Sequence, residues 1–387
     1  MRIAYFTESL FPHVDGVSRT LNQLFRTLEA RGVDFRVFAP FVPDAGVSWS
    51  RRVRRVPAVA FPLYPDYRVS LPFAGGVAAE LDEYRPELVH VVSPTPMAVW
   101  AQRYARRRGL PVVASFHTHF VSYFRYYHVA PLEELGWALL RRFYRRCDAV
   151  FAPTRAIIAE LAGQGIAGVR LWSRGIERDR FGPQHRDERL RAELGARDDA
   201  PLLLLVSRLV KEKDLADLVA MHRLLRARGS AHRLALVGDG PMRAELEAVL
   251  PDAHFAGHQA GEALSRWYAS ADVFVFPSTT ETFGNVVLEA LASGVPAVVV
   301  ARGGPPELIE PETNGLVARP NDPADLAACV ERLLRDAALR RALGERARAG
   351  SAAYDWDAIN GGLLDGYAAL IARSGRRPAR PGAEVSP

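Results

Sequence analysis

Short, unbroken apolar runs recur along the chain, each followed by a polar or glycine-bearing turn and then by apolar positions every three or four residues. In the first half the runs are Ile3–Thr7, Asp34–Ala39, Leu88–Ser93, Val112–Phe116 and Ala149–Ala152, with helical periodicity over Val17–Arg31, Thr95–Gly109 and Leu132–Cys147. In the second half they are Leu202–Ser207, Arg233–Gly238, Asp272–Pro277 and Val295–Val300. Runs this short that do not alternate with polar residues predict strands buried on both faces, as in a parallel sheet. The rhythm therefore predicts an α/β fold: two Rossmann-like, doubly wound parallel-sheet domains facing across a cleft. A chain of 387 residues suits two such units. The polar stretch 182–200 reads as their link, placing the units at 1–182 and 183–352. A further helical run, Ala358–Ala372, falls after the second unit, in 353–373, and the tail 374–387 is expected to be disordered.

Composition narrows the setting. No apolar run approaches the ~18 residues of a membrane span, and Arg2 precedes any apolar stretch, so no signal peptide is expected. Cys147 and Cys329 are widely separated in helical stretches, which argues against a disulfide or a metal site and suits a reducing cytoplasm. Residues 1–180 hold 25 Arg, no Lys and 16 acidic residues, a balance of +9; the remainder balances at −3, giving the net +6. The positive half points to an anionic partner. No nucleic-acid-binding module accompanies that charge, so nucleic acid is not expected.

On a helical wheel, Leu132, Leu135, Trp137, Leu139, Leu140, Phe143, Tyr144 and Cys147 share one side, and Arg141, Arg142, Arg145 and Arg146 the other. A core-facing stripe with a solvated back accounts for this pattern. So does a helix that also touches an anionic membrane, and the aromatic, basic stretch 120–129 and the arginines of 51–55 add to that second possibility.

Chemistry concentrates in residues 278–296. Glu281 lies in the predicted strand-to-helix turn, and Glu289 eight residues on, about 12 Å along a helix axis. Between them Phe283, Gly284 and Asn285 offer backbone N–H groups at a helix N-terminus, where an anion binds well. An ordinary strand–helix turn with Glu289 solvated fits the same spacing. The chain has 48 Arg but only two Lys, Lys211 and Lys213, in the turn after Leu202–Ser207. A retained lysine suggests a need for a compact ammonium, and Lys213 is the stronger candidate; Asp214 suits the cap of the next helix. Gly16 opens the first helix and allows close backbone approach to a phosphate. His117 and His119 end the strand at Val112–Phe116, and Gly238 sits in a glycine-bearing turn. Glu307 suits the cap of its own helix, and Asp355 and Asp357 read as a helix cap rather than a metal pair.

Taken together, Glu281, Phe283–Asn285, Glu289 and the following Ser293–Pro296 resemble the signature of glycosyltransferase family 4, and the similarity extends over most of 1–373. The resemblance implies the GT-B fold, with the last helix crossing back onto the first domain. It implies a retaining, metal-independent hexosyltransferase that uses a nucleoside-diphosphate sugar and no cofactor. Arg208 and Lys213 would hold the diphosphate, Glu281 the sugar and Glu289 the ribose, with His117 beside the sugar. Gly16, Phe283, Gly284, Asn285, Gly238 and His258 would complete the donor side, and His119 and Tyr123 would face the acceptor. The single glycine at Asp15–Val17 is similar to the branch acting on diacylglycerol lipids. That implies a glycolipid or glycan acceptor and a cytoplasmic enzyme, peripheral on the inner face of the cell membrane. A soluble member acting on a sugar or small metabolite, a non-enzymatic nucleotide-sugar binder and a sugar-nucleotide epimerase are the alternatives.

Overall fold

Two parallel sheets account for the apolar runs. The computed structural model describes residues 1–11, 15–61, 64–72, 75–117 and 133–375. The first sheet comprises β1 (Arg2–Phe6), β2 (Asp34–Ala39), β3 (Val53–Arg55), β6 (Leu88–Val91), β7 (Val112–Ser115), β8 (Ala149–Ala152) and β9 (Val169–Leu171), in the order β3-β2-β1-β6-β7-β8-β9. An antiparallel hairpin, β4 (Ala58–Phe61) with β5 (Tyr64–Ser70), stands apart from it. The second sheet comprises β10 (Leu202–Val206), β11 (Arg233–Val237), β12 (His254–Gly257), β13 (Val273–Phe276), β14 (Ala297–Val300) and β15 (Gly315–Ala318), in the order β12-β11-β10-β13-β14-β15.

The central strands are the most apolar because helices cover both their faces. All five residues of β10 are buried; Leu203 pairs with Leu234 on one side and Val273 on the other. Ile3 of β1 is likewise flanked by Phe35 and Leu88. Strand order reverses beside β1, where β6 follows, and beside β10, where β13 follows. In open α/β sheets the crevice at such a reversal, outside the carboxyl ends of the strands, is where ligands bind.

The helix Trp356–Ser374 is capped by Asp355, whose carboxylate accepts the Ala358 N–H. Asp357 pairs with Arg31, so both aspartates of that stretch are occupied structurally. Leu363, Leu364, Tyr367 and Leu370 of this helix are buried with Ile3, Tyr5, Phe25 and Phe151 in the core of the first sheet. The chain therefore returns to its first lobe after finishing the second.

Candidate functional site

The loops that leave the two reversal points meet. Gly16 begins the helix Gly16–Ala30 after β1, and Asn285 begins the helix Asn285–Ala292 after β13. A methyl group at Gly16 would stand 3.1 Å from Asn285 Nδ2, so two helix N-termini face each other across the cleft. The Asp15 side chain caps the first of these helices, whereas no side chain caps the second. Gly284 precedes it at φ +94, a conformation that suits glycine. Phe283 is buried in the second core with its ring 6.3 Å from Tyr354, and its backbone packs against Gly304.

Lys213 ends a tight turn after β10. Only 7% exposed, it pairs with Glu281 in the loop between β13 and the helix Asn285–Ala292. Glu212 is also buried; one of its oxygens lies 3.5 Å from the half-exposed guanidinium of Arg208, and the other has no partner. Asp214 does not cap the next helix. It adopts φ 52 and accepts both the N–H and the hydroxyl of Thr279, tying the Lys213 turn to the loop that carries Glu281.

Glu289 is buried rather than solvated. It accepts Arg19 Nη1 at 3.1 Å, from the first lobe, and the Tyr268 hydroxyl at 2.8 Å. Burial raises its carboxyl above the ordinary range, opposed by the nearby Arg19 charge. Each carboxylate oxygen keeps lone-pair capacity for a further hydroxyl. Glu8, buried at the carboxyl end of the first lobe's β1, is pushed by desolvation to about 7.

His117 is enclosed. Arg174 Nη2 donates to its Nδ1 at 2.8 Å, Ser115 Oγ lies 2.7 Å from its Nε2, and its carbonyl accepts Thr282 Oγ1 at 2.7 Å. Burial, then the Arg174 charge, holds its pKa well below 6.5, so the ring is neutral and unsuited to shuttle protons. Thr282 also accepts a bond from Thr154 Oγ1 at 3.0 Å. Glu307 does not cap its own helix; its carboxylate accepts the N–H groups of Arg155 and Ala156, capping a helix of the opposite lobe.

Two glycines act through packing. A Cβ on Gly304 would fall 2.3 Å from the Thr282 carbonyl, so this position lets two loops interlock around Glu281 and Phe283. A Cβ on Gly238 would fall 1.8 Å from the Ser207 carbonyl, and the Gly238 N–H donates to Gly257. Gly238 thus supports the Arg208 loop and has no spare amide for a phosphate. His258 is exposed past the carboxyl end of β12, two strands away from the Lys213–Glu281 pair. His119 and Tyr123 lie outside the described residues. Among those described, no group of three or more His, Cys, Asp or Glu stands together as a metal site would require.

The helix Glu133–Tyr144 divides its apolar stripe. Trp137, Phe143 and Tyr144 are buried, while Leu135 and Leu139 are 57% and 59% exposed beside Arg142. No described helix is long and apolar enough to cross a membrane.

Residues 14–180 match the family model for Glycosyltransferase Family 4, and residues 186–350 that for glycosyl transferases group 1. The chain is 33% identical to a GDP-mannose-dependent alpha-mannosyltransferase of Corynebacterium glutamicum, covering 100% of this chain and 94% of the relative. It is also 33% identical to sulfoquinovosyl transferase SQD2 of Arabidopsis thaliana, over 92% of this chain and 71% of that protein. Among solved structures, sucrose-phosphate synthase from Thermosynechococcus elongatus superposes with a TM-score of 0.78 at 25% identity, over 96% of this chain and 99% of the other.

Proposed function

The chain belongs to glycosyltransferase family 4, and on that premise we propose that it moves a hexose from a nucleoside-diphosphate sugar to a hydroxyl of a membrane glycolipid, retaining the anomeric configuration. It is a hexosyltransferase of the GT-B fold. The observation that carries the donor site is the convergence of the Lys213 turn, the Glu281–Asn285 loop and the Gly16 helix start at both reversal points. Relatives with lipid acceptors, an alpha-monoglucosyldiacylglycerol synthase of Streptococcus pneumoniae among them, support the acceptor class.

In this reading the diphosphate sits between the two helix N-termini, with Lys213 and Arg208 neutralising the charge that develops as it leaves. Preorganised cations and amide dipoles in a partly dry cleft supply several kcal/mol of such stabilisation. Glu281 orients the sugar and Glu289 takes the ribose diol. The bond from the anomeric carbon to the phosphate oxygen breaks as the acceptor oxygen attacks from the same face. The acceptor proton passes to the departing phosphate oxygen, so no protein base is needed, in keeping with a neutral, enclosed His117. The protein's own cations take the place a metal would hold. In the same reading, Leu135, Leu139 and Arg142 would meet an anionic leaflet, with the enzyme working at the inner face of the cell membrane.

A nucleotide-release screen with guanosine, uridine and adenosine diphosphate sugars tests this, run with and without lipid extract. Release that depends on the lipid is expected. Donor conversion without acceptor would mean an epimerase, and donor protection without release a binder.

A further inference from the structure

A line of buried polar side chains runs from the last helix to the cleft. Tyr367 Oη lies 2.5 Å from His90 Nδ1, and His90 Nε2 lies 3.0 Å from Ser115 Oγ. Ser115 Oγ is 2.7 Å from His117 Nε2, and Arg174 Nη2 is 2.8 Å from His117 Nδ1. Tyr367 and His90 are fully buried, Ser115 is 2% exposed and Arg174 4%. The mechanism above uses none of Tyr367, His90 or Ser115.

A guanidinium can only donate, so Arg174 makes His117 Nδ1 an acceptor. The neutral ring must then carry its proton on Nε2 and donate to Ser115 Oγ. With both nitrogens engaged, what His117 presents outward is its carbonyl, which receives Thr282 Oγ1 from the second lobe. Thr282 adjoins Glu281, the partner of Lys213.

We propose that Tyr367 is a positioning residue for glycosyl transfer. Arg174 sets the His117 tautomer; through His90 and Ser115, Tyr367 holds the hydroxyl that receives the Nε2–H and so fixes the orientation of the ring. That fixes where the His117 carbonyl meets Thr282, and hence where the Glu281 turn stands when the lobes close. The assignment rests on the donor site placed above. Core filling alone would be better served by apolar residues, because burying imidazoles is costly; burial pushes His90 to about 3. A fully satisfied buried network instead selects one arrangement.

Two single-hydroxyl deletions from the same core test the idea. Tyr5 Oη donates to Tyr367 Oη at 3.4 Å but lies off the line. Tyr367→Phe should lower kcat about tenfold with donor KM within twofold, and Tyr5→Phe should change neither. Ser115→Ala, which breaks the line one link nearer the cleft, should reproduce the Tyr367→Phe loss and serves if that variant fails to fold. Nitrogen-15 histidine spectra should show a His117 Nε2–H that is hydrogen-bonded and slow to exchange in the wild type, and one that is shifted and exchanges faster in both line variants. Equal effects from Tyr5→Phe and Tyr367→Phe, or an unchanged His117 Nε2–H signal in the line variants, would overturn the proposal. A wild type that turns over no donor would remove the donor-site reading instead, and the spectra would still decide whether the line controls the ring.

Discussion

Replacing Lys213 by alanine probes the donor site most directly. The lysine side chain is 9% exposed and that of Glu281 25%, so the pair lies between interior and surface. Unit charges about 4 Å apart attract by about 4 kcal/mol at an effective dielectric of 20, and desolvation offsets much of that. Removing one partner of a fully buried pair costs about 3–5 kcal/mol. Here water can reach Glu281, so about 2 kcal/mol of stability should be lost. Turnover should fall at least tenfold, or about 1.4 kcal/mol, because the cation also faces the leaving diphosphate. Glu281→Ala should lower turnover similarly. The double variant separates the two roles. Its stability loss should be smaller than the sum of the single losses, since the pair is removed together, while its turnover should be no better than the slower single variant. Denaturant melts and nucleoside-diphosphate release measure the two quantities side by side. A Lys213→Ala enzyme of reduced stability but wild-type turnover would refute the catalytic role.

His90 stays neutral in the fold but protonates below about 6.5 once unfolded, so the unfolded chain binds the extra proton and stability falls as pH drops below that value. Replacing His90 by glutamine should therefore flatten the stability–pH slope between 6.5 and 5 by about 1.4 kcal/mol per pH unit, and parallel slopes would count against it. Glu8, raised to about 7, works in the opposite sense: its contribution is lost as pH rises from 4.5 to 7, so Glu8→Gln should gain relative stability at pH 8 in urea titrations. Glu307→Ala removes a cap that bridges the lobes, worth about 1 kcal/mol, and should lower donor kcat/KM about fivefold in steady-state assays. Changing Leu135 and Leu139 to glutamine should abolish flotation with anionic liposomes while release of nucleotide in detergent persists; undiminished flotation would remove that surface from the membrane contact.

The buried strands were legible almost to the residue, because a run such as Leu202–Val206 has no other stable place than a sheet's centre. The edge strands β3, β9 and β12 were not, since short segments like Val53–Arg55 carry too few apolar positions to stand out. At the site, Lys213 and Glu281 were singled out separately, and the structure joins them across 68 residues. Local capping rules misplaced Asp214 and Glu307, both drawn away by backbone N–H groups far along the chain, the first on a loop and the second at a helix start in the opposite lobe. Arg19, Tyr268 and Arg174 escaped notice because their roles exist only once the sheets are assembled. A wheel diagram showed the stripe on Glu133–Tyr144, but only packing reveals that Leu135 and Leu139 fall outside the core.

The returning helix sets an order of events on the ribosome. Leu363, Leu364 and Tyr367 complete the interior of the amino-terminal lobe, so that lobe keeps an open apolar flank until nearly the whole polypeptide has emerged. The carboxy-terminal lobe, whose own interior ends by Ala347, is self-sufficient sooner. Synthesis from first residue to last is thus not the sequence in which the lobes close their cores, and a premature stop after Ala347 but before Leu363 leaves the earliest-made half the one left unfinished.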